Sequence, residues 1–184
     1  MYAEAFFKTM DFDAITLSPY MGHDSVMPYL EYEGKWAIIL GLTSNPGSQD
    51  LQMLQADGLN FFEQVLKAGN TWGTAENIMF VVGATHPEMF ATVRKHAPDN
   101  FLLVPGIGAQ GGDLGEVCKY GLNNSVGLLI AASRSISSAL PRVEGMYGVG
   151  TSSTAAPWLV CNAAISSTAI NPPHRRACNL LTSP

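Results

Sequence analysis

Short runs of almost continuous apolar character, each followed by a turn and then a stretch of helical period, recur over the first 138 residues. This alternation limits the folds open to the chain. The runs are Phe12 to Leu17, Trp36 to Leu42, Ile78 to Val82, Phe101 to Val104 and Val126 to Ala131. Strands with one wet face alternate polar and apolar residues, whereas parallel strands covered on both faces are apolar throughout. The amphipathic stretches lie near Asp24 to Tyr32, Gly58 to Gly69, Pro87 to His96 and Asp113 to Tyr120, and Met1 to Thr9 reads as a further helix. Strand starts fall roughly 22 to 42 residues apart, the spacing of βαβ units with modest loop insertions. A doubly wound sheet and a (β/α)8 barrel both fit this rhythm. A complete barrel takes eight strands and about 250 residues, so a barrel built from these five strands is a partial one.

The ends of the chain break the pattern. It opens inside an amphipathic stretch with no capping residue before it and no strand to feed it. After Ser138 the only charged residues are Arg142, Glu144, Arg175 and Arg176, small residues and prolines dominate, and the helical period is lost where a last barrel helix should lie. The expectation is therefore two regions: residues 1–138 as βα units, and 139–184 as a low-charge, irregular tail of the kind that a shifted reading frame or a fused unrelated segment produces. A divergent but genuine extension is the alternative.

Composition narrows the function classes. A net charge of -5 with 14% charged residues offers no basic stripe for a phosphodiester backbone, so no nucleic-acid partner is expected. Cys118, Cys161 and Cys178 are odd in number and lack a CxxC pair, which suggests neither a disulfide framework nor a zinc site and fits a reducing cytoplasm. His23, His86, His96 and His174 are scattered without metal-ligand spacing. No run resembles an export signal or a membrane span, so a soluble, unexported protein without a membrane partner is expected.

The most informative stretch is Leu103-Val104-Pro105-Gly106-Ile107-Gly108-Ala109-Gln110-Gly111-Gly112-Asp113. A strand enters a loop with four glycines and then a helix start, an arrangement that lets backbone N–H groups approach an anion near a positive helix end. A tight turn needing positive φ angles explains the same glycines. Gln110 adds a side chain that both donates and accepts, suited to a pyrimidine edge or a phosphate oxygen. In Leu129-Ile130-Ala131-Ala132-Ser133-Arg134, an arginine directly follows a strand. Its planar fork matches phosphate oxygens, and barrel phosphate sites form in the loops after the last two strands. Taken alone, Arg134 reads as a solvated or ion-paired surface residue; combined with the glycine loop one strand earlier, it reads as a phosphate ligand. Ser44, in Thr43-Ser44-Asn45-Pro46-Gly47, is either a turn residue or a pocket residue.

The runs DAITLSPYMGHDSVMPYLE, LTSNPGSQDLQ, MFVVGATHPEMF, FLLVPGIGAQGGDLGEVCKYGLN and GLLIAASRSI together resemble orotidine 5'-monophosphate decarboxylase, in its longer bacterial subgroup with a Pro-Tyr-Met-Gly segment. The similarity spans roughly residues 1 to 137 and is most specific at Pro105 to Asp113 and Ser133 to Ile136. It implies an α/β fold, a partial (β/α)8 TIM barrel with strands four to eight present. It also implies that Gln110 and Arg134 hold the substrate phosphate with backbone groups near Ser133, that Pro105 lines the pyrimidine pocket and that Ser44 hydrogen-bonds the pyrimidine ring.

That family converts orotidine 5'-monophosphate to uridine 5'-monophosphate (UMP) and CO2, the last step of de novo UMP synthesis, without metal or organic cofactor, and its intact enzyme is a homodimer. A lysine in an Asp-x-Lys-x-x-Asp array protonates C6 as the carboxylate leaves. No such array occurs in this sequence. Lys8-Thr9-Met10-Asp11 is no substitute, because Phe6 stands where the leading aspartate would be and the segment precedes a strand instead of following one. The expectation is an N-terminally truncated decarboxylase with no catalytic residue of its own and an inactive isolated chain. The alternatives are another phosphate-binding barrel, an isomerase or aldolase, and a half-barrel that binds nucleotide or a partner chain without turnover.

Overall fold

The computed structural model describes residues 1–108 and 110–132. Helix α1 (Tyr2–Glu4) continues into a π-helical turn, Ala5–Thr9. There follow β1 (Ala14–Leu17), a 3-10 turn at Pro19–Met21, α2 (His23–Leu30), β2 (Trp36–Leu42), α3 (Ser48–Leu51) and a small hairpin of β3 (Gln55–Ala56) and β4 (Leu59–Asn60). The chain continues through α4 (Phe61–Trp72), β5 (Ile78–Val82), α5 (Met89–His96), β6 (Leu102–Pro105), α6 (Leu114–Gly121) and β7 (Leu128–Ala131).

Five strands form one parallel sheet in the order β1-β2-β5-β6-β7, each paired with its neighbour in the chain apart from the intervening hairpin. A doubly wound sheet reverses direction partway through its strand order. Here every new strand adds to the same side, which is the winding of a barrel arc. The partial-barrel expectation therefore holds, and each of the five apolar runs contributes a strand, β1 and β7 starting two residues later than the run and β6 shifted by one.

Alternation along each strand explains their unbroken apolar character. Ala37 and Ile39 of β2, Ile78, Phe80 and Val82 of β5, Leu102 and Val104 of β6, and Leu128 and Ile130 of β7 pack with Val26, Phe62, Leu66, Phe90, Val93 and Val117 from the helices. The intervening Ile38, Met79 and Val81 share the opposite face with Phe101, beside Trp36, Leu40, Leu103 and Leu129. A covered helix side and an apolar inner side are what a barrel wall requires. Register holds except at Gly41, where a bulge between Leu40 and Leu42 shifts the pairing with β5.

Helix α4 begins at Asn60, where the Glu63 carboxylate reaches back to accept the Asn60 N–H at 2.9 Å. Glu63 also lies 3.1 Å from His96 Nε2 at the end of α5, tying the two helices together. Burial raises the Glu63 pKa, but the Asn60 N–H, His96 and the Asn60 side chain outweigh it and hold the carboxyl below its ordinary value.

Arg94 organises the end of the sheet where strands begin. Its Nε donates to Gly121 O at 2.7 Å, one terminal nitrogen donates to Ala97 O at 2.9 Å and Asn100 O at 2.8 Å, and the other donates to Gly127 O at 2.8 Å. The turns before β6 and β7 are thus held by one guanidinium. Burial pushes its pKa down to about 10, against the opposing charge of Asp99. At the same end Lys35 Nζ bonds Asp11 at 2.9 Å, which places the Lys8 to Asp13 segment on the edge where β1 and β2 start.

Two stability predictions follow. Arg94→Met should cost roughly 3 kcal/mol or more, because buried carbonyls lose a charged donor, read as a lower urea midpoint at unchanged slope. For Glu63, whose carboxyl is depressed in the folded state, the stabilisation is present above its unfolded pKa and is lost as pH falls through the folded one. Wild-type stability should therefore fall on acidification through the carboxylate range more steeply than that of Glu63→Gln, measured by urea unfolding at a series of pH values.

Candidate functional site

At the other edge, where parallel strands end, three loops meet. The first leaves β2 just past the Gly41 bulge and carries Thr43, Ser44 and Asn45. The second leaves β5 as Gly83-Ala84-Thr85, with the Gly83 N–H donating to Leu42 O at 2.8 Å and the Ala84 N–H to Pro105 O at 3.0 Å. The third is the glycine loop after β6.

Contact between the first two loops depends on a missing side chain. A Cβ at Gly83 would collide with Ser44 Oγ and lie 2.7 Å from the Ser44 backbone nitrogen. Only glycine lets Ser44 settle over β5. Gly106, at φ +99°, makes the next junction: a Cβ there would stand 2.9 Å from Gln110 Oε1 and 3.5 Å from Ser44 Oγ. The Ser44 hydroxyl and the Gln110 carboxamide thus converge on the Gly106 Cα, directly beyond Pro105, whose half-buried ring ends β6.

The polar inventory is unbalanced. Ser44 Oγ and Thr85 Oγ1 are shielded from solvent and have no hydrogen-bond partner among the described residues. A buried unpaired hydroxyl costs on the order of 1–3 kcal/mol. Two of them at one rim mark a place where ligand or water completes the bonding. Gln110 is exposed and forms no hydrogen bond to a described residue.

The glycine loop works differently from the open anion cradle its sequence suggests. Gly108 N–H donates to Gly112 O at 2.9 Å, Gly111 N–H to Gly108 O at 2.8 Å and Gly112 N–H to Gly106 O at 3.1 Å. These amides close the loop on itself. Asp113 caps α6, its carboxylate accepting the Glu116 N–H at 2.8 Å, so the helix start already carries a negative partner. What the described part of the loop presents outward is the Gln110 side chain.

Ser44, Pro105 and Gln110 therefore share one rim. Ser133 and Arg134 lie outside the described residues, as does the 139–184 tail; Ala131, paired with Pro105, brings β7 to the same edge. Thr85 and Gly83 belong to this site and escaped the sequence reading. Their only signal was a small, uncharged stretch directly after an apolar strand. His86 is exposed beside Glu88, 3.6 Å away, and His23 packs edge-on against Trp72. Among the described residues no cluster of His, Cys, Asp or Glu could hold a metal ion, and no helix is long and apolar enough to cross a membrane. A cavity of about 310 Å³ lies at the opposite edge, but the Arg94 in its wall is committed to backbone carbonyls.

Comparison with known proteins agrees with this geometry. Residues 1–146 match the model of the orotidine 5'-phosphate decarboxylase / HUMPS family. An orotidine 5'-phosphate decarboxylase of Flavobacterium johnsoniae is 55% identical over 136 residues, and one of Bacteroides fragilis is 56% identical over 137; each alignment covers 74% of this chain and 50% of the relative. The chain spans about half the length of the curated relatives it matches. Among solved structures, Leishmania donovani OMP decarboxylase superposes with a TM-score of 0.70 at 41% identity, covering 75% of this chain and 54% of that one. Leishmania donovani UMP synthase superposes with a TM-score of 0.71 at 44% identity, covering 75% and 32% respectively. The parallel barrel arc, the rim that joins Ser44 to Gln110 and the match over residues 1–146 have one reading: the chain belongs to the orotidine 5'-phosphate decarboxylase family.

Proposed function

We propose that this chain forms the pyrimidine- and phosphate-binding part of an orotidine 5'-monophosphate decarboxylase site. The observation that carries the reading is the convergence on Gly106 of the Ser44 hydroxyl and the Gln110 carboxamide, neither of which has a hydrogen-bond partner among the described residues. A nucleotide lying over Gly106 would meet Ser44 with its pyrimidine ring, rest on Pro105 and reach Gln110 with its phosphate; Ser133 and Arg134, next along the chain from β7, would complete the phosphate grip. Thr85 offers a further hydroxyl to the same volume.

In the proposed reaction the bond from C6 to the carboxylate breaks, CO2 departs, and the electron pair left on C6 takes a proton from a lysine. Phosphate binding far from C6 would contribute by organising the site for the transition state. No metal or organic cofactor is required. The Asp-x-Lys-x-x-Asp array that would supply the lysine is absent from the 184 residues, so the proposed role of the chain by itself is binding without turnover. A homodimeric whole enzyme and a cytoplasmic setting belong to the same proposal.

Titration calorimetry should show UMP binding to the 184-residue chain. Ser44→Ala should weaken it about tenfold, the value of one hydrogen bond, and Gly83→Ala should weaken it at least as much by displacing Ser44. Affinity for UMP no better than for a simple sugar phosphate would favour an isomerase or aldolase site instead. Incubated with orotidine 5'-monophosphate, the chain should release no CO2, while a chain that also carries the family's lysine array should do so. Turnover by the 184-residue chain at the rate of a full-length relative would refute the catalytic part.

A further inference from the structure

We propose that Gln52 is the positioning residue that sets where the Ser44 hydroxyl meets the pyrimidine ring, an inference that rests on the binding reading above. The Ser44 side chain has no hydrogen bond to hold it, since its Oγ is without a partner among the described residues. Its two neighbours are held instead. Gln52 Oε1 accepts the Thr43 N–H at 2.8 Å, and Gln52 Nε2 donates to Thr43 Oγ1 at 2.8 Å. Thr43 Oγ1 in turn donates to Asn45 Oδ1 at 2.6 Å. One carboxamide thus fixes the residue before Ser44 at both backbone and side chain, and through the threonine hydroxyl it fixes the residue after.

Gln52 itself has little freedom. Its N–H donates to Ser48 O at 2.9 Å and its carbonyl accepts the Phe62 N–H at 3.0 Å. Phe62 is fully buried in the core, in the first turn of α4. A rigid path therefore runs from the core through Gln52 to both flanks of Ser44, while Gly83 bounds Ser44 from below. The supporting contacts end in a side chain with an open hydroxyl, which is how a preorganised binding group is built.

A purely structural role and a positioning role predict different outcomes. If Gln52 acts through Ser44, Gln52→Ala should weaken UMP about tenfold and leave ribose 5-phosphate, which lacks the pyrimidine, within about twofold of wild type. The double variant Ser44→Ala/Gln52→Ala should bind UMP no more weakly than Ser44→Ala alone, the non-additivity of residues that act as one unit. Gln52→Glu keeps an acceptor for the Thr43 N–H but loses the Nε2 donor to Thr43 Oγ1, so it should recover only part of the lost UMP affinity. Without ligand, amide hydrogen exchange over residues 43–45 should quicken in Gln52→Ala and return towards wild type in Gln52→Glu. Additive losses, or equal losses for UMP and ribose 5-phosphate, would overturn the positioning role. So would unchanged exchange over residues 43–45, whether or not UMP binds. If Ser44→Ala leaves UMP affinity unchanged, the site assignment fails first; if Ser44→Ala weakens UMP while Gln52→Ala does not, only the role of Gln52 fails.

Discussion

Parallel pairing in sequence order forces every strand to end on the same edge. Because β1, β2, β5, β6 and β7 run side by side in one direction, the loops that follow β2, β5 and β6 leave the sheet as neighbours. Strands lie about 5 Å apart, so these loops cross within touching distance and their side chains compete for space. Glycine at positions 83 and 106 resolves the competition by giving the room to Ser44 and Gln110. The bulge at Gly41 acts on the same junction, since an irregularity there re-aims everything between β2 and Ser44.

The two edges of the sheet treat polar atoms in opposite ways. Where strands begin, carbonyls from two turns find a charged donor in Arg94, and Lys35 joins Asp11 and Asp13. Where strands end, Ser44 and Thr85 keep buried hydroxyls without partners among the described residues. Against a typical domain stability of about 5–15 kcal/mol, two such defects matter. They are sustained by a helix-side core in which Phe62, Phe80, Phe90 and Leu102 are fully buried. Division of labour between a stabilising edge and an unsatisfied, reactive edge is general to barrels of this winding.

The elements that sequence period announces are the ones whose burial is one-dimensional. Ile78 to Val82 is apolar at every position because one set of side chains meets the helices and the other the opposite face, and α4 shows its core stripe through Phe62, Val65 and Leu66. The hairpin of β3 and β4 was less legible, although Asp57-Gly58 is a turn signal with both residues at positive φ; its strands are too short to show a period. Gln110 could be singled out from its loop because glycine density is local, whereas Pro105 was marked only by the family resemblance. The roles of Gly83, Thr85 and Gln52 depend on which strand lies next to which. Arg94 is hidden for a related reason: its partners are carbonyl oxygens, which every residue possesses, so nothing in the sequence of Ala97, Asn100, Gly121 or Gly127 announces them.

That indifference to side chains has an evolutionary corollary. A guanidinium that reads only main-chain oxygens leaves most residues of the turns before β6 and β7 unspecified, provided the turns keep their path; Gly127 is the exception, since a Cβ there would stand 2.6 Å from the Arg94 guanidinium. Asp99 supplies a charge that favours the buried guanidinium, whereas substitutions in Pro98, Asn124 or Ser125 can accumulate without disturbing the anchor. Gaining or losing a single residue cannot, because it moves a carbonyl out of reach of a side chain whose other bonds hold it in place. Alignments of this family should therefore show these turns as variable in identity outside Asp99 and Gly127, and nearly invariant in length, wherever the arginine is retained.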